Sequence, residues 1–388
     1  MDSLFPEKKN MLCIADENIP FVREAFATFG EVRTFPGREL TASHLKNADI
    51  LLVRSVTTVN EQLLSGTGVK FVASATIGID HIDLSYLKYN NIGFACAPGS
   101  NADSVAEYLL AALSFFSKKD RKPFSEMTLG VIGVGNIGGR VFRNALALGM
   151  NTILCDPPKE RSTNCSLYRP LKEVLAEADI VSLHVPLENK GDDATVQMVN
   201  RSFLEEMKSG AVLINTSRGG IVDETALLDM RKKLGGVVLD VWQREPEVNR
   251  ELIEAATIAT PHIAGYSYDG KIRGTVALYE AACAFFYRKT EWCVPESAFG
   301  EKRGDVPVNT SETAIADTIL STYDIKEDDA SFRKIVAMDD LQQRAGYFDQ
   351  LRRDYPKRYE FTHYTLKKNN VSTNVLRILE NLRFSVEV

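Results

Sequence analysis

The 388-residue chain is 44% hydrophobic and 25% charged with a net charge of −6, an ordinary balance for globular protein long enough to form two or three domains. It has no basic stripe, so neither nucleic acid nor an anionic membrane is an expected partner. The opening MDSLFPEKKN lacks an apolar h-region, no apolar run approaches a membrane span, and the six cysteines form no C-x-x-C pair; a reducing cytoplasm is the expected compartment.

From the start of the chain, strand-like and helix-like runs alternate. MLCIAD, ILLVRS, KFVASAT and IGFACA read as strands, and the segments around 21–29, 61–64 and 84–89 as helices. Such alternation predicts a parallel, doubly wound sheet. A long helical run, NADSVAEYLLAALSFFSKK, begins at Asn101 and leads into TLGVIGVGNIGGR. Here Thr128 to Ile132 is a buried-strand pattern, and Gly133, Gly135 and Gly138 give G-x-G-x-x-G at the turn into a helix starting at Asn136 and Ile137. The first glycine permits the turn, the second lets a pyrophosphate approach the backbone, and the third lets helix and strand pack closely. A second strand, Thr152 to Cys155, ends in Asp156, placed to hydrogen-bond a ribose 2′-hydroxyl. Dinucleotide binding is the expected chemistry, and the late position of the motif means that another unit precedes it.

Past the motif, DIVSLHVPL, AVLINTS, GGVVLDVW and TIATPHIAG continue the pattern to about residue 265, and residues 269–289 form a helix expected to return to the first unit. The Pro-, Gly- and charge-rich VPESAFGEKRGDVPVN marks a linker. Helix-like stretches at 312–322 and 338–352 and a mixed strand-like end follow. The expected fold is α/β, with two doubly wound parallel-sheet domains and a small α+β C-terminal domain. The expected boundaries are 1–100 with 266–294 for a substrate domain, 101–265 for the nucleotide domain and 295–388 for a dimerisation domain.

A nicotinamide enzyme needs a group that exchanges a proton with the substrate oxygen. Among five histidines, His262 follows the last strand of the nucleotide domain, at the edge where ligands collect in such folds. His184 also ends a strand but has no acidic partner in sequence, while His44, His81 and His363 read as surface or packing residues. Arg218 follows LINTS at another strand end and suits a substrate carboxylate. Glu245, beyond the strand ending at Asp240, suits an orienting partner for an imidazole. Each alone would be read as a surface ion pair; together, at successive strand ends, they favour catalysis.

NTSRGGIVDETAL, LDVWQREP and TPHIAGY resemble the signature segments of the D-isomer-specific 2-hydroxyacid dehydrogenases. The resemblance covers roughly residues 10–290 and implies NAD as cofactor and a substrate domain split around a central NAD domain. It also implies Arg218 as the substrate-carboxylate arginine, Glu245 as the acidic partner and His262 as the catalytic acid/base. By the same likeness Asp240 lies beside the nicotinamide carboxamide and Asp156 on the adenosine ribose. ADEN, VRSVTTVN, ATIGIDHID, CDPP, HIAGYSYDGKIRGT and the tail segments YDIKEDDASFRKI and FDQLRRDYPKRYEF are similar to one branch of that family. That branch acts on a small phosphorylated 2-hydroxy acid and forms a homodimer through its C-terminal domain. The narrower likeness implies that Ser55, Thr76 and Tyr266 contact substrate and that Gly265 lies at the cofactor. HVPL stands where HTPL is usual, so a cofactor contact at Val185 must use its backbone; PGSN replaces PGCN. For the phosphate, Arg54, Lys271 and Arg273 are candidates, with surface solvation equally open for each. Two other readings stay open: a family member acting on 3-phosphoglycerate or glyoxylate, and an NAD-sensing binding protein on the same fold.

Overall fold

A computed structural model describes residues 10–299, 303–308, 313–367 and 372–387. The opening decapeptide, save Asn10, and Glu312, where the first tail helix was expected to begin, lie outside the described residues. The chain divides into two compact units: Met1–Asn101 with Ser267–Glu301, and Ala102–Tyr266 with Lys302–Val388. By its contacts the small C-terminal domain groups with the second unit. Among the described residues, no helix is long and apolar enough to cross a membrane.

In the first unit, strands β1 (Met11–Asp16), β2 (Gly30–Phe35), β3 (Ile50–Val53), β4 (Phe71–Ser74) and β5 (Gly93–Cys96) form one parallel sheet in the order β2-β1-β3-β4-β5. Central strands β3 and β4 are buried along their length, as sheets covered on both faces require. The helix Tyr268–Phe285 returns to this unit as expected and packs on β4 and β5. Its fit is close: a Cβ on Gly93 would lie 2.3 Å from the Phe285 ring.

In the second unit, β6 (Thr128–Ile132), β7 (Asn151–Cys155), β8 (Ile180–Leu183), β9 (Val212–Asn215), β10 (Gly236–Leu239) and β11 (Ile258–Ala259) form a six-stranded parallel sheet in the order β11-β10-β9-β8-β6-β7. The direction of winding reverses between β6 and β8, and such a switch point is where the carboxyl edge of a doubly wound sheet opens a ligand crevice. The buried helix Ala102–Asp120 lies within this unit.

The C-terminal segment adds a small parallel sheet of β12 (Asp305–Pro307), β13 (Thr365–Lys367) and β14 (Ser385–Val386). The stretch expected to be a linker thus contributes a strand. The helix Ala314–Thr322 packs on Ala102–Asp120, with Ile319 fully buried. Phe348, on the helix Leu341–Arg353, is buried against Phe332, which in turn meets Trp242 of the nucleotide domain. Most of the tail's apolar residues thus fill a core shared with that domain, although Leu341 stays 43% exposed. Asp329 accepts the Ala259 backbone N–H at 2.7 Å, and Arg333 donates to the Ile253 and Ala256 carbonyls at 2.8 and 2.7 Å. The tail thereby covers the edge strand β11, accepting an N–H that an edge leaves unpaired, and satisfies carbonyls at the end of the helix Arg250–Ala255.

Candidate active site

The glycine turn comes first. Gly133 follows β6 in the left-handed region at φ 84°, and a Cβ there would meet the His184 carbonyl at 2.7 Å. A Cβ on Gly138 would stand 2.0 Å from the Gly133 carbonyl oxygen. Both positions are therefore closed to any side chain. At Gly135, by contrast, a Cβ would meet nothing within 4 Å, the open approach that a pyrophosphate needs. The helix Asn136–Ala147 begins immediately after it and offers its first backbone N–H groups. Asp156, after β7, accepts the Val134 N–H at 2.8 Å and the Lys159 N–H at 3.0 Å. Its carboxylate thus fixes the glycine turn and caps the helix Pro157–Thr163. Two oxygens with several lone pairs leave acceptor capacity for ribose hydroxyls. These residues fit a dinucleotide. Val185 follows β8, with its Cγ1 2.9 Å from where a Gly133 Cβ would be.

At the ends of β9 and β10 the sequence builds the corner that carries Arg218 and Glu245. Buried Asn215 accepts the Ser217 N–H at 3.0 Å and hydroxyl at 2.7 Å, and its amide donates to the Arg218 carbonyl at 2.9 Å. This fixes the backbone at Arg218, whose guanidinium donates to the Ser217 carbonyl at 2.6 Å. Gly219 is obligatory, since a Cβ there would lie 1.9 Å from the Trp242 carbonyl carbon. The close approach packs the Arg218 turn against the loop that follows β10.

Glu245 sits in that loop. One carboxylate oxygen accepts the Trp242 N–H at 3.0 Å, and the other lies 2.7 Å from His262 Nδ1. Burial works against the ionised carboxylate, but the charge and hydrogen bond of His262, the Arg352 guanidinium and the Trp242 amide outweigh it. The Glu245 pKa falls below its ordinary value. A carboxylate on Nδ1 fixes the imidazole tautomer and leaves Nε2 for proton exchange. His262 itself has φ 58°, a left-handed conformation that costs energy in a non-glycine residue unless its surroundings hold it.

Asp240 supplies that hold. Its buried carboxylate accepts the Thr260 hydroxyl at 2.6 Å and the Ile263 and Ala264 N–H groups at 2.7 and 2.9 Å. Burial raises its pKa despite these donors and the neighbouring His262. Thr260 is in turn bonded to Tyr108 at 2.7 Å, and its carbonyl accepts Trp242 Nε1 at 3.0 Å. Asn215, Thr260, Tyr108 and Trp242 were not singled out from sequence. Asn215 sits three residues before Arg218, and that spacing was the available signal.

The C-terminal segment, expected as a dimerisation domain, also reaches this loop. Arg358 donates to the Ala264 carbonyl at 2.6 Å. Arg352 Nε donates to the Tyr266 hydroxyl at 3.1 Å, with its guanidinium 5.5 Å from that ring's centre. Gly265 lies between these two anchored residues.

His184 is buried, bonded through Nε2 to Ser182 at 2.9 Å, and pushed down to about 3 by burial; it stays neutral and is no general acid. His363 is buried and packs on Tyr359, and His44 bonds Thr41. In the first unit, Thr76 bonds Ser74 at 2.8 Å, and Ser74 bonds His81 Nε2 at 3.1 Å. Ser55 is exposed in the turn after β3. Arg54 lies 3.9 Å from buried Asp16, and Arg273 donates to the Ser100 carbonyl at 2.8 Å. No cluster of metal-ligating side chains exists among the described residues.

Residues 113–264 match the NAD-binding domain of the D-isomer specific 2-hydroxyacid dehydrogenases, and residues 295–380 match a domain of unknown function, DUF3410. Erythronate-4-phosphate dehydrogenase of Salinibacter ruber is 45% identical over 366 residues, covering 91% of this chain and 93% of its own. The enzyme of that name from Marinobacter nauticus is 41% identical over 387 residues, 97% of this chain and 100% of its own. Among solved structures, D-lactate dehydrogenase from Aquifex aeolicus, complexed with NAD and lactic acid, superposes with a TM-score of 0.59 at 30% identity. It covers 71% of this chain and 95% of its own. The NAD-bound 3-phosphoglycerate dehydrogenase of Entamoeba histolytica shares the fold with a TM-score of 0.62 at 24% identity over 74% of this chain and 99% of its own. With a glycine turn shaped for a dinucleotide and near-full-length identity of this order, the chain belongs to the erythronate-4-phosphate dehydrogenase family of NAD-dependent D-isomer specific 2-hydroxyacid dehydrogenases.

Proposed function

We propose that the chain oxidises 4-phospho-D-erythronate to (R)-3-hydroxy-2-oxo-4-phosphobutanoate, a step toward pyridoxal 5′-phosphate (vitamin B6). The observation that carries the reading is the 2.7 Å contact between Glu245 and His262 at the carboxyl edge of the nucleotide-binding sheet. NAD, when bound, supplies the hydride acceptor. Gly133, Gly135, Asn136, Ile137 and Gly138 would hold its pyrophosphate, Asp156 its adenosine ribose, and Val185, Asp240 and Gly265 would line the remaining cofactor surface. His262 Nε2 takes the C2 hydroxyl proton while Glu245 holds Nδ1 and stabilises the imidazolium that forms. Arg218 binds the substrate carboxylate and draws electron density toward the developing carbonyl. Ser55, Thr76 and Tyr266 complete the substrate contacts.

The chain works as a homodimer in the cytoplasm. Buried free cysteines at 13, 155 and 283 suit a reducing compartment, and the exposed Leu341 on an amphipathic tail helix supports a second copy as the partner. The test of the activity is NADH formation from NAD and 4-phospho-D-erythronate. No NADH from a folded, NAD-binding preparation overturns the reading.

A further inference from the structure

The substrate assigned above carries two anionic ends, and Arg218 accounts for the carboxylate beside the reacting carbon. The other end is a phosphate, close to a dianion at neutral pH. Arg352 is the guanidinium from the C-terminal segment that lies beside the catalytic pair. It stands one residue from the end of the helix Leu341–Arg353 and is only 8% exposed. Its Nε is committed to the Tyr266 hydroxyl at 3.1 Å, and its plane lies 5.5 Å from the Tyr266 ring centre and 5.6 Å from that of Phe348. Glu245 is close enough for the two charges to influence one another. Nη1 and Nη2 make no hydrogen bond among the described residues, yet neither is sealed from solvent.

We propose that Arg352 is a substrate-binding residue whose Nη1 and Nη2 take oxygens of the terminal phosphate while Nε stays on Tyr266. The inference rests on the activity proposed above and deepens it.

Three physical points carry it. The side chain is largely buried while Nη1 and Nη2 still reach solvent, so their donors are open to an anion and act where surrounding protein lowers the dielectric and strengthens a charge-assisted bond. The planar fork presents two parallel donors to a phosphate, which an ammonium cannot do. Packing between two rings has already removed most of the side chain's rotamer freedom, so little entropy is lost on binding. Glu245 does not supply the anion, since its oxygens are held by His262 and Trp242. The tail then has a catalytic-domain duty: it sets selectivity for a phosphorylated acid over the shorter or neutral-ended acids of related dehydrogenases.

The test uses the full-length, NAD-loaded protein with Arg352→Gln, Arg352→Lys and Tyr266→Phe. kcat and KM are measured on 4-phospho-D-erythronate and on unphosphorylated D-erythronate, and inorganic phosphate is titrated calorimetrically. Arg352→Gln is expected to lose at least about tenfold more kcat/KM on the phosphorylated acid than on the unphosphorylated one, mainly through KM, as loss of a charge-assisted bidentate contact implies. Arg352→Lys should recover part of that discrimination. Inorganic phosphate should bind Arg352→Gln at least about tenfold more weakly than wild type. Tyr266→Phe, which removes the anchor but not the charge, should fall between wild type and Arg352→Gln. Equal losses on both acids with unchanged phosphate affinity would make Arg352 a prop for Tyr266 and overturn the proposal. If wild type shows no preference for the phosphorylated acid, the assigned substrate is wrong; the phosphate titration then still decides whether Arg352 binds an oxyanion.

Discussion

Replacing Asp240 by Asn probes how the His262 loop is held. The aspartate is 1% exposed and accepts three hydrogen bonds from Thr260, Ile263 and Ala264 at 2.6, 2.7 and 2.9 Å. An asparagine can keep two of these through its oxygen, but its NH2 must then face the remaining N–H. One backbone donor and one side-chain donor are left without acceptors, each costing about 1–3 kcal/mol when buried. Part of this is returned, because burial raises the Asp240 pKa and removal of a charge relieves that penalty. The net expectation is a loss of roughly 2 kcal/mol. The loss should be local, since the bonds close one loop and His262 within it holds a positive φ. Denaturant unfolding gives the free energy, and amide hydrogen exchange at Ile263 and Ala264 reads the loop itself. Turnover should fall with the loss of protection, while the far-ultraviolet spectrum stays native. Stability within about 0.5 kcal/mol of wild type, the usual range for a neutral surface change, together with unchanged exchange at both amides, would refute the reasoning.

Other expectations concern the catalytic pair, the cofactor and the assembly. His262→Ala should lower turnover by at least about two orders of magnitude, the scale of general acid–base catalysis. Glu245→Gln should cost less, because an amide can still meet Nδ1 but no longer stabilises the positive charge that develops on the ring in the transition state; near-normal turnover of His262→Ala removes that residue from the mechanism. Because the Glu245 pKa is depressed in the folded chain, its ionised form adds stability above the ordinary carboxylate range, and this is lost as pH falls through the depressed value; acid unfolding of Glu245→Gln should show a shallower pH dependence. NAD should be preferred to NADP by at least about tenfold in kcat/KM. Asp156 repels a 2′-phosphate, and the nearby cations are engaged, Lys159 with the Val134 carbonyl and Arg161 with Asp193. Asp156→Ser should narrow the gap, and equal efficiencies in wild type count against it. Sedimentation should give a dimer of the 43.1 kDa chain. A monomer at micromolar concentration excludes the proposed pairing.

Central strands and the glycine turn were legible in the sequence because each carries a strong local signal. β3 is an unbroken apolar run, β4 is apolar up to its last residue, Ser74, and only glycine fits at 133 and 138. β2 was missed because it lies at the sheet edge, where Glu31 and Arg33 are exposed and alternate with half-buried neighbours. An edge strand keeps charges that a central one excludes. The helix Ile325–Arg333 escaped notice for a related reason: only Ile325 and Phe332 of its nine residues are buried. β12 was read as linker because Pro and Gly dominate its surroundings. At the site, Arg218, Glu245 and His262 stand at successive strand ends, so topology alone singles them out. Arg352 has no such signature. An arginine in the last turn of a helix ordinarily faces solvent and complements the helix dipole, and only the packing of Phe348 and Tyr266 turns it inward. Asp240 was legible as a strand-end carboxylate, but the three donors it holds depend on the course of a loop that no spacing reveals.

The most direct test of the central claim is the discrimination of one enzyme preparation among 2-hydroxy acids, read as the initial rate of NADH formation with 4-phospho-D-erythronate, D-erythronate, 3-phosphoglycerate, glycerate and D-lactate. A site with one oxyanion subsite at Arg218 and a second for the phosphate should favour 4-phospho-D-erythronate by at least about a hundredfold in kcat/KM over each unphosphorylated acid, the gap of roughly 2.7 kcal/mol expected when buried charged donors are left unpaired, and should also turn it over faster than the shorter 3-phosphoglycerate. Faster turnover of 3-phosphoglycerate, glycerate or lactate would contradict the account.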